Sequence, residues 1–255
     1  MAKVFAISSQ TIFGPVGNSA AVPALQAEGH EVLALPTILL SFHPGHGAPS
    51  GQRTPAPLMQ EMIEKLEKLG ALENCDAVMT GYFADAEQVK VAAQVAAKIK
   101  KQNSSCMVLV DPVIGDDGAL YVPQAVAEAI RDLLVPLATI ATPNAFELAW
   151  LTGKDVGGEK SAADTASHLG LAETLITSVP SGDALITMLI AEGGTQLHAS
   201  KRLAHVPHGT GDFLSGLYLA HRLKHLPAEA FHRAVAQLEA AIAQSSGSSV
   251  LDITG

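Results

Sequence analysis

Two glycines and an aspartate stand together in the segment Gly209-Thr210-Gly211-Asp212-Phe213-Leu214-Ser215-Gly216. Glycines let a backbone turn sharply into a helix and approach a ligand closely. The unpaired amides and the dipole of a first helical turn form a binding site for an anion. A carboxylate at Asp212, in the same turn, is placed to take the proton of an attacking hydroxyl. The segment therefore indicates either an anion site beside a general base or an ordinary glycine turn in which Asp212 stabilises the helix.

Two well-known phosphate-binding patterns are missing from the chain. There is no GxxxxGK[ST] loop, and the glycines of this segment do not have the GxGxxG spacing of a dinucleotide-binding turn. Any phosphoryl transfer by this chain must therefore use another phosphate cradle.

A second group of residues stands in Thr142-Pro143-Asn144-Ala145-Phe146-Glu147. Asn144 and Glu147 are three residues apart at the start of a predicted helix, so their side chains project to one side and could hold a hydrated Mg²⁺. The same spacing is that of a capping box, in which both side chains satisfy the free amides of the helix. From the residues alone, capping is the better interpretation.

Polar residues also follow other predicted strands. Asp111-Pro112-Val113-Ile114-Gly115-Asp116 is a strand end followed by an acidic turn, suited to a metal or phosphate but equally to an ordinary surface turn. Thr177 and Ser178 end another strand, where they could bond phosphate oxygens or simply end the strand. Gly14-Pro15-Val16-Gly17-Asn18-Ser19 follows the first strand and opens the first helix, with Asn18 or Ser19 predicted as its N-cap.

Short apolar runs alternate with amphipathic ones, as in βαβ units. The predicted strands are Val4–Ser8, Glu31–Leu40, Ala77–Thr80, Met107–Val110, Ala138–Ala141, Leu175–Ser178, Ala184–Ile190 and Gln196–His198. The predicted helices are Ser19–Glu28, Leu58–Leu69, Ala86–Lys101, Val126–Leu134, Asn144–Leu151, Asp212–Leu223 and Ala228–Gln244.

The pattern predicts one doubly wound α/β domain over residues 1–255, with a mostly parallel sheet flanked by helices and a loop or lid near residues 41–57. Ligands bind beyond the carboxyl ends of the strands in such sheets. The candidate residues do follow predicted strands, at Ser8, Tyr82, Asp111, Asn144, Thr177 and Gly209.

Composition narrows the classes of function. A net charge of −9 argues against a nucleic-acid or anionic-membrane partner, and an anionic substrate would need a local electropositive site. Two cysteines, Cys75 and Cys106, do not form a disulfide framework. The short apolar run at the N-terminus does not resemble a signal peptide, and a cytoplasmic location is expected.

The order of these motifs along the chain resembles that of pyridoxal kinases, which belong to the ribokinase-like superfamily. The likeness extends from about Val4 to Gly216, and its most family-specific part is the stretch from Gly14 to Ala21. The remaining motifs are Asp111 to Asp116, Thr142 to Glu147 and Gly209-Thr210-Gly211-Asp212, the last of which many relatives share.

The resemblance implies transfer of the ATP γ-phosphoryl group to the 5′-hydroxyl of pyridoxal, pyridoxine or pyridoxamine. It implies that Asp212 is the general base, and that the amides around Gly209, Thr210 and Gly211 form the anion hole. Asn144 and Glu147 would organise Mg²⁺ through its waters with Asp111 nearby, and a monovalent cation such as K⁺ could assist.

The resemblance also implies which residues contact the nucleotide, which contact the vitamer, and how the chain assembles. Nucleotide-side positions are Asp116, Tyr121, Thr177 and Ser178; vitamer-side positions are Ser8, Val16, His43 and Tyr82. A homodimer is expected, because the relatives pair across the substrate-side edge.

One segment departs from the family pattern. Where relatives carry Asn-His-Thr, this chain has Phe42-His43-Pro44, which loses an amide and a hydroxyl. The departure leaves vitamer preference open, with His43 a candidate to take over part of the role. Two alternatives to a pyridoxal kinase also remain open. One is a hydroxymethylpyrimidine kinase of thiamine synthesis, whose glycine motif usually ends in Cys. The other is a non-catalytic vitamer-binding protein of the same fold.

Overall fold

The computed structural model describes residues 1–116, 118–203, 206–245 and 247–254. Its strands are β1 (Lys3–Phe13), β2 (Glu31–Phe42), β3 (Gly51–Arg53), β4 (Ala77–Thr80), β5 (Met107–Val110), β6 (Gly115–Asp116), β7 (Ala119–Leu120), β8 (Ile140–Ala141), β9 (Glu173–Ser181), β10 (Ala184–Ala191) and β11 (Gly194–Lys201). Within these described residues, nine strands form one sheet in the order β11-β10-β9-β8-β5-β4-β1-β2-β3, and β6 pairs with β7 separately.

Helices cover both faces of the sheet. They are α1 (Asn18–Ala27), α2 (Ala56–Lys68), α3 (Ala86–Gln102), α4 (Gln124–Ala129), α5 (Ala145–Thr152), α6 (Glu159–Ala166), α7 (Thr210–Arg222) and α8 (Pro227–Gln244). Successive side chains of a strand point to opposite faces. Accordingly, Phe5 of β1 packs with the apolar cluster of α2 and α3, whereas Val4 packs with that of α1, α7 and α8. The predicted doubly wound α/β fold is confirmed.

The central strands run parallel, and the chain reverses its direction of winding between β1 and β4. β1 pairs with β2 on one side and with β4 on the other, and β4 continues to β5, β8 and β9. A crevice opens at such a switch point beyond the carboxyl ends of the strands. Here it lies between Ser8 of β1 and Gly81, which follows β4.

The segment at residues 41–57, predicted to be a loop, contains more regular structure than expected. β2 continues to Phe42, and β3 pairs antiparallel with residues 38–40 of β2. A single 3₁₀ turn, Pro44–His46, lies between them. All three residues of β3 are exposed and none is a large apolar residue, so the strand has no alternation of apolar and polar residues by which sequence could reveal it.

Other elements were also missed or shortened. The predictions omitted α6 and the β6–β7 hairpin, and the predicted helix Val126–Leu134 is a short α-helix that passes into a π-helical turn at Ile130–Leu134. No helix in the described part of the chain is long and apolar enough to cross a membrane.

The predicted N-cap of the first helix is wrong. Gly17 occupies that position, with φ at 61°, and α1 begins at Asn18. The side chains of Asn18 and Ser19 do not cap the helix because they bond to the backbone of β1 and β2 instead.

Candidate active site

The switch point brings Ser8, Gly81 and Asp212 together. The buried Ser8 Oγ accepts a hydrogen bond of 3.1 Å from the Tyr82 N–H. A Cβ added to Gly81 would lie 2.5 Å from Ser8 Oγ and 4.0 Å from Asp212 Oδ1. A side chain at residue 81 would therefore fill the space between the serine and the carboxylate, so this space is available to a ligand.

The glycine motif forms the start of α7. Gly209 is its N-cap with a left-handed φ of 89°, and a Cβ there would come 1.8 Å from the Pro15 carbonyl oxygen. Only glycine fits this close approach. The intrahelical bonds begin with Phe213 N–H to Gly209 O at 2.9 Å, so the amides of Thr210 and Gly211 precede the helical ladder. The helix start is thus an anion-binding geometry next to Asp212.

The Asp212 carboxylate is half-buried at this helix start. Burial raises its pKa, while hydrogen bonds from the backbone N–H groups of Gly17 and of Asp212 itself act in the opposite direction. Its pKa therefore remains above the ordinary value for an aspartate, as suits a group that must accept a proton.

Asp111 lies behind Asp212, at the end of β5. Burial raises its pKa, and the negative charge of Asp212 raises it further. The Ser215 hydroxyl lies 3.0 Å from Asp111 Oδ2 and 2.9 Å from Thr142 Oγ1, and it favours the ionised carboxylate. Sequence reasoning missed Ser215 as part of the site, although it stands three residues after Asp212, one helical turn away on the same face.

Asn144 and Glu147 do form the capping box of α5. Asn144 Oδ1 accepts from the Glu147 N–H at 2.8 Å, and Glu147 Oε2 accepts from the Asn144 N–H at 2.9 Å. Glu147 Oε1 also accepts from the Ile114 N–H at 2.9 Å, and Asn144 Nδ2 donates to the Gly115 carbonyl. The pair therefore fastens the strand end after Asp111 to the start of α5.

Glu147 is buried at 3% exposure, which raises its pKa well above the ordinary value. The nearby charge of Asp111 adds to this effect, while the backbone hydrogen bonds oppose it. Because both of its oxygens accept backbone bonds, Glu147 is better suited to bonding metal-bound waters than to direct metal ligation. Within the described ranges, no group of three His, Cys, Asp or Glu side chains has the geometry to hold a metal ion. The residues thus fit a hydrated Mg²⁺ that takes its other ligands from a phosphate substrate.

The remaining nucleotide-side positions surround this network. Desolvation of the Tyr121 hydroxyl, followed by the charges of Glu147 and Asp111, raises the pKa of Tyr121. Asp116 lies exposed on β6. The Thr177 N–H donates to the Pro143 carbonyl, which joins β9 to the start of α5.

Ser178 has a strained backbone. Its φ of 58° is left-handed, and the register between β9 and β10 shifts at this point. The shift is a β-bulge of the kind that often redirects side chains next to functional sites.

On the opposite side, Tyr82 and Val16 line the crevice. The Tyr82 carbonyl accepts from Thr37 Oγ1 at 2.7 Å, which holds the residue against β2. Val16 is half-buried beside Gly209. The close approach to Gly209 places Val16 next to the Gly209–Asp212 motif, whereas Tyr82 follows Gly81 after the end of β4.

His43 lies farther out, in a cluster of rings. Its ring centroid is 4.2 Å from that of His208, and the His46 centroid is 5.1 Å from His208. Phe13 and Phe42 flank His46 at 6.0 and 6.5 Å. Sequence reasoning did not single out His208, although it directly precedes Gly209. The cluster joins the loop after β2 to the segment that leads into α7.

Comparison with known proteins identifies the class to which this fold and site belong. The profile of the phosphomethylpyrimidine kinase family matches residues 50–250 of this chain. The match covers more than half of the chain, so the chain belongs to this family, and it is a kinase that phosphorylates a hydroxyl group.

Individual relatives narrow the class further. The chain is 37% identical to a pyridoxine/pyridoxal/pyridoxamine kinase of Bordetella avium, over 86% of this chain and 77% of that one. The pyridoxal kinase of Entamoeba histolytica matches with a TM-score of 0.93 at 26% identity, over 99% of this chain and 93% of that one. The Leishmania donovani pyridoxal kinase, in complex with ADP and pyridoxine, matches with a TM-score of 0.89 at 28% identity, over 98% and 90%. The chain is a member of the pyridoxal kinase family.

Proposed function

We propose that the chain transfers the γ-phosphoryl group of ATP to the 5′-hydroxyl of pyridoxal, and of pyridoxine and pyridoxamine, in vitamin B6 salvage. The observation that carries the proposal is the position of Asp212. The residue lies in the first turn of α7, and its carboxylate faces the crevice between Ser8 and Gly81. The relatives named as pyridoxal kinases, one of them bound to ADP and pyridoxine, support the same substrates.

The proposed step is a direct in-line displacement. Asp212 takes the proton of the 5′-hydroxyl while that oxygen bonds to the γ-phosphorus. The bond from the γ-phosphorus to the β–γ bridging oxygen breaks, and ADP leaves with that oxygen. The amides of Gly209, Thr210 and Gly211 stabilise the charge on the equatorial oxygens. Most of the rate enhancement then comes from positioning and electrostatics.

The nucleotide side of the proposal uses the buried network. Asn144, Glu147 and Asp111 would hold the waters of Mg²⁺, which would neutralise phosphate charge. Asp116, Tyr121, Thr177 and Ser178 contact the nucleotide, and a monovalent cation such as K⁺ assists. Ser8, Val16, His43 and Tyr82 contact the vitamer, with Ser8 at the polar edge of the pyridine ring.

Two further expectations belong to the proposal. The chain forms a homodimer across the substrate-side edge, where Ile12, Phe13 and Leu39 expose 77%, 57% and 45% of their surfaces. The chain acts in the cytoplasm as one domain, consistent with two buried free cysteines. Light scattering on purified protein tests the dimer, which a monomeric mass at micromolar concentration would exclude.

A second candidate is the phosphorylation of hydroxymethylpyrimidine. The specific observation in its favour is the matching family profile, which is described as phosphomethylpyrimidine kinase. The replacement at Phe42 and Pro44 leaves this substrate open, since it changes the loop beside the vitamer side of the crevice.

The deciding experiment supplies Mg-ATP with pyridoxal, pyridoxine, pyridoxamine or hydroxymethylpyrimidine, with and without K⁺. ADP release and phosphorylated product are both followed. Product from a B6 vitamer supports the proposal and ranks its substrates. Product from the pyrimidine alone would replace it with the second candidate. Vitamer binding without turnover would indicate a non-catalytic binding protein.

A further inference from the structure

A buried glutamine joins three backbone segments beside the proposed vitamer side of the crevice. Gln88 lies in the first turn of α3 and is fully buried. Its Nε2 group donates to the Thr37 carbonyl at 2.8 Å and to the Thr54 carbonyl at 2.7 Å. Its Oε1 accepts from the Ala84 N–H at 2.8 Å. One side chain therefore connects β2, the segment after β3 and the loop after β4.

The Thr37 carbonyl is available to Gln88 because β2 is irregular at this point. The register between β1 and β2 slips by one residue after the pair Ser8 and Pro36. Such a bulge takes backbone groups out of the regular ladder. The Thr37 carbonyl accepts instead from Gln88 and, at 2.9 Å, from the Thr54 N–H.

Thr37 also bonds the loop after β4. Its hydroxyl donates to the Tyr82 carbonyl at 2.7 Å, and the Tyr82 N–H donates to Ser8 Oγ at 3.1 Å. The backbone of Tyr82 is thus held on one side by β1 and on the other by β2. Thr37 is fully buried, so it fixes Tyr82 without being exposed to a ligand in the crevice.

These bonds hold the base of a β-arm, which we define as residues 38–53. β3 pairs with residues 38–40 of β2, and Thr37 and Thr54 directly precede and follow the arm along the chain. The arm carries His43 in the turn between its two strands. The orientation of its base therefore determines where His43 lies relative to the loop after β4.

A second contact between the arm and this loop lies at the surface. Arg53 Nη1 is 3.3 Å from Asp85 Oδ2, and more than half of the arginine side chain is exposed. Exposed ion pairs contribute little to stability. The buried amide of Gln88 is therefore the stronger of these two connections.

The chemistry of Gln88 favours a positioning role over simple filling of the core. Neighbouring core positions of α3, such as Val89 and Ala92, are apolar. A buried amide is costly unless its polar atoms are bonded, and a methionine would fill a similar volume without this requirement. Both polar atoms of the Gln88 amide are bonded to backbone groups. Its specific contribution is therefore directional, since it fixes three segments in one arrangement.

We propose that Gln88 and Thr37 are positioning residues for vitamer binding. They hold the base of the arm and the backbone of Tyr82 in one arrangement before substrate arrives, without touching substrate themselves. The inference rests on the proposed function for its kinetic consequence, because Tyr82 and His43 contact the vitamer in that proposal. The fastening of the backbone segments can be tested without turnover.

The kinetic test compares Thr37→Val, which removes the hydroxyl but keeps the shape, with Thr37→Ser, which keeps the hydroxyl. The matched control is Thr165→Val. Thr165 is also buried and donates its hydroxyl to a carbonyl, that of Asp155, in the segment around α6. In Thr37→Val, KM for the vitamer should rise by about threefold to tenfold, the scale of one hydrogen bond. Because only vitamer binding is affected, kcat and KM for ATP should stay within about twofold. Thr37→Ser and Thr165→Val should stay close to the unmodified chain in all three constants.

Gln88→Met removes all three amide bonds at similar volume, so KM for the vitamer should rise by about tenfold or more. Hydrogen exchange followed by NMR provides the readout that is independent of activity. Protection of the Tyr82 N–H should fall in Thr37→Val, and that of the Ala84 N–H in Gln88→Met. The Gly81 N–H, which donates to the Ile7 carbonyl at 3.0 Å, should keep its protection in both variants.

Unchanged protection of Tyr82 in folded Thr37→Val, together with an unchanged KM for the vitamer, would overturn the inference even if thermal stability fell. Equal changes in kcat, KM for ATP and KM for the vitamer would assign both residues to general stability and would also overturn it. An unmodified chain that phosphorylates no vitamer would contradict the proposed function, while a loss of Tyr82 protection would still support the positioning. Thr37→Val changes a single hydroxyl to a methyl group, so it decides the question if Gln88→Met fails to fold.

Discussion

The two sides of the crevice are held together by different kinds of interaction. On the proposed nucleotide side, the buried Glu147 and the half-buried Asn144 are joined to the backbone by hydrogen bonds. On the proposed vitamer side, the loop after β2 is joined to the segment before α7 by contacts among His43, His46 and His208. The first side is a largely buried polar network, whereas the second is a partly exposed set of tilted and edge-on ring contacts.

This difference has a functional meaning for a kinase. A buried network of satisfied bonds is rigid before any ligand arrives, so the nucleotide side is preorganised. Ring contacts are each weak and lie at a surface, so the loop can open and close at small cost. The departure from the family pattern at Phe42 and Pro44 also falls on this adaptable side. Substitutions in the loop are therefore expected to change substrate preference. Substitutions in the network or at Asp212 are expected to change the rate.

The largest effect is expected where the two sides meet, at Asp212. Asp212→Asn removes the proton acceptor while keeping the shape of the side chain, so kcat should fall by about 10²- to 10⁴-fold. Vitamer and ATP affinities, measured by calorimetry, should change little by comparison. Retention of the full kcat would show that another group accepts the proton.

The second-largest effect is expected in the buried polar network, at Glu147. Glu147→Gln places an amide against the Asn144 N–H, so one buried bond is lost and the free energy of unfolding should fall by about 1–3 kcal/mol. Because the residue acts through metal-bound waters, kcat/KM for Mg-ATP should fall by about 10- to 100-fold. The concentration of Mg²⁺ needed for half-maximal activity should rise.

The control for this change is Glu173→Gln. Glu173 is also a buried glutamate, bonded by Tyr218 and Arg222 at the other end of β9. It should lose stability to a similar extent without any change in Mg²⁺ dependence. Equal Mg²⁺ responses in the two variants would mean that Glu147 serves only as a cap.

A smaller effect is expected on the adaptable side. His208→Ala removes the ring that contacts both His43 and His46, so KM for the vitamer should rise by about threefold to tenfold. KM for ATP should not change. His168→Ala, which removes an exposed histidine in the turn that follows α6, serves as the control. A rise confined to KM for ATP would show that His208 contributes to nucleotide binding and not to vitamer binding.

The smallest effect is a pH dependence of the loop itself. Burial, followed by the nearby charges of His208 and His46, lowers the pKa of His43 from 6.5 to about 4. Because the folded pKa is depressed, the stability from the neutral ring is present above the ordinary pKa and is lost as pH falls from about 6.5 toward about 4. The protection of amides at residues 43–47 from hydrogen exchange, relative to the intrinsic rate at each pH, should fall over this range more than the protection in β4. Identical pH responses in residues 43–47 and in β4 would show that the titration of His43 does not control the stability of the loop.

Much of the fold and of the candidate site could be predicted from local sequence. β4 and β5 were predicted with their observed bounds, because short apolar runs between turns are typical of strands buried on both faces. The pair Asn144 and Glu147 was predicted as a capping box, because that motif is defined by spacing within a single turn. The missed strand β3 could not be predicted in this way, because strand pairing and not a side-chain pattern makes that element.

Local sequence is sufficient to specify the class of fold, the glycine turn before Asp212 and the family to which the chain belongs. These depend on periodicity and on motifs whose residues are neighbours along the chain. Three contacts become visible only in the folded protein: Asn18 and Ser19 bond the strands and do not cap α1, Ser215 bonds Asp111, and the His208 ring contacts that of His43. Each of these contacts joins residues that are distant in sequence or adjacent to an irregular strand register. The geometry of the folded sheet brings such residues together, and no local spacing along the chain encodes it.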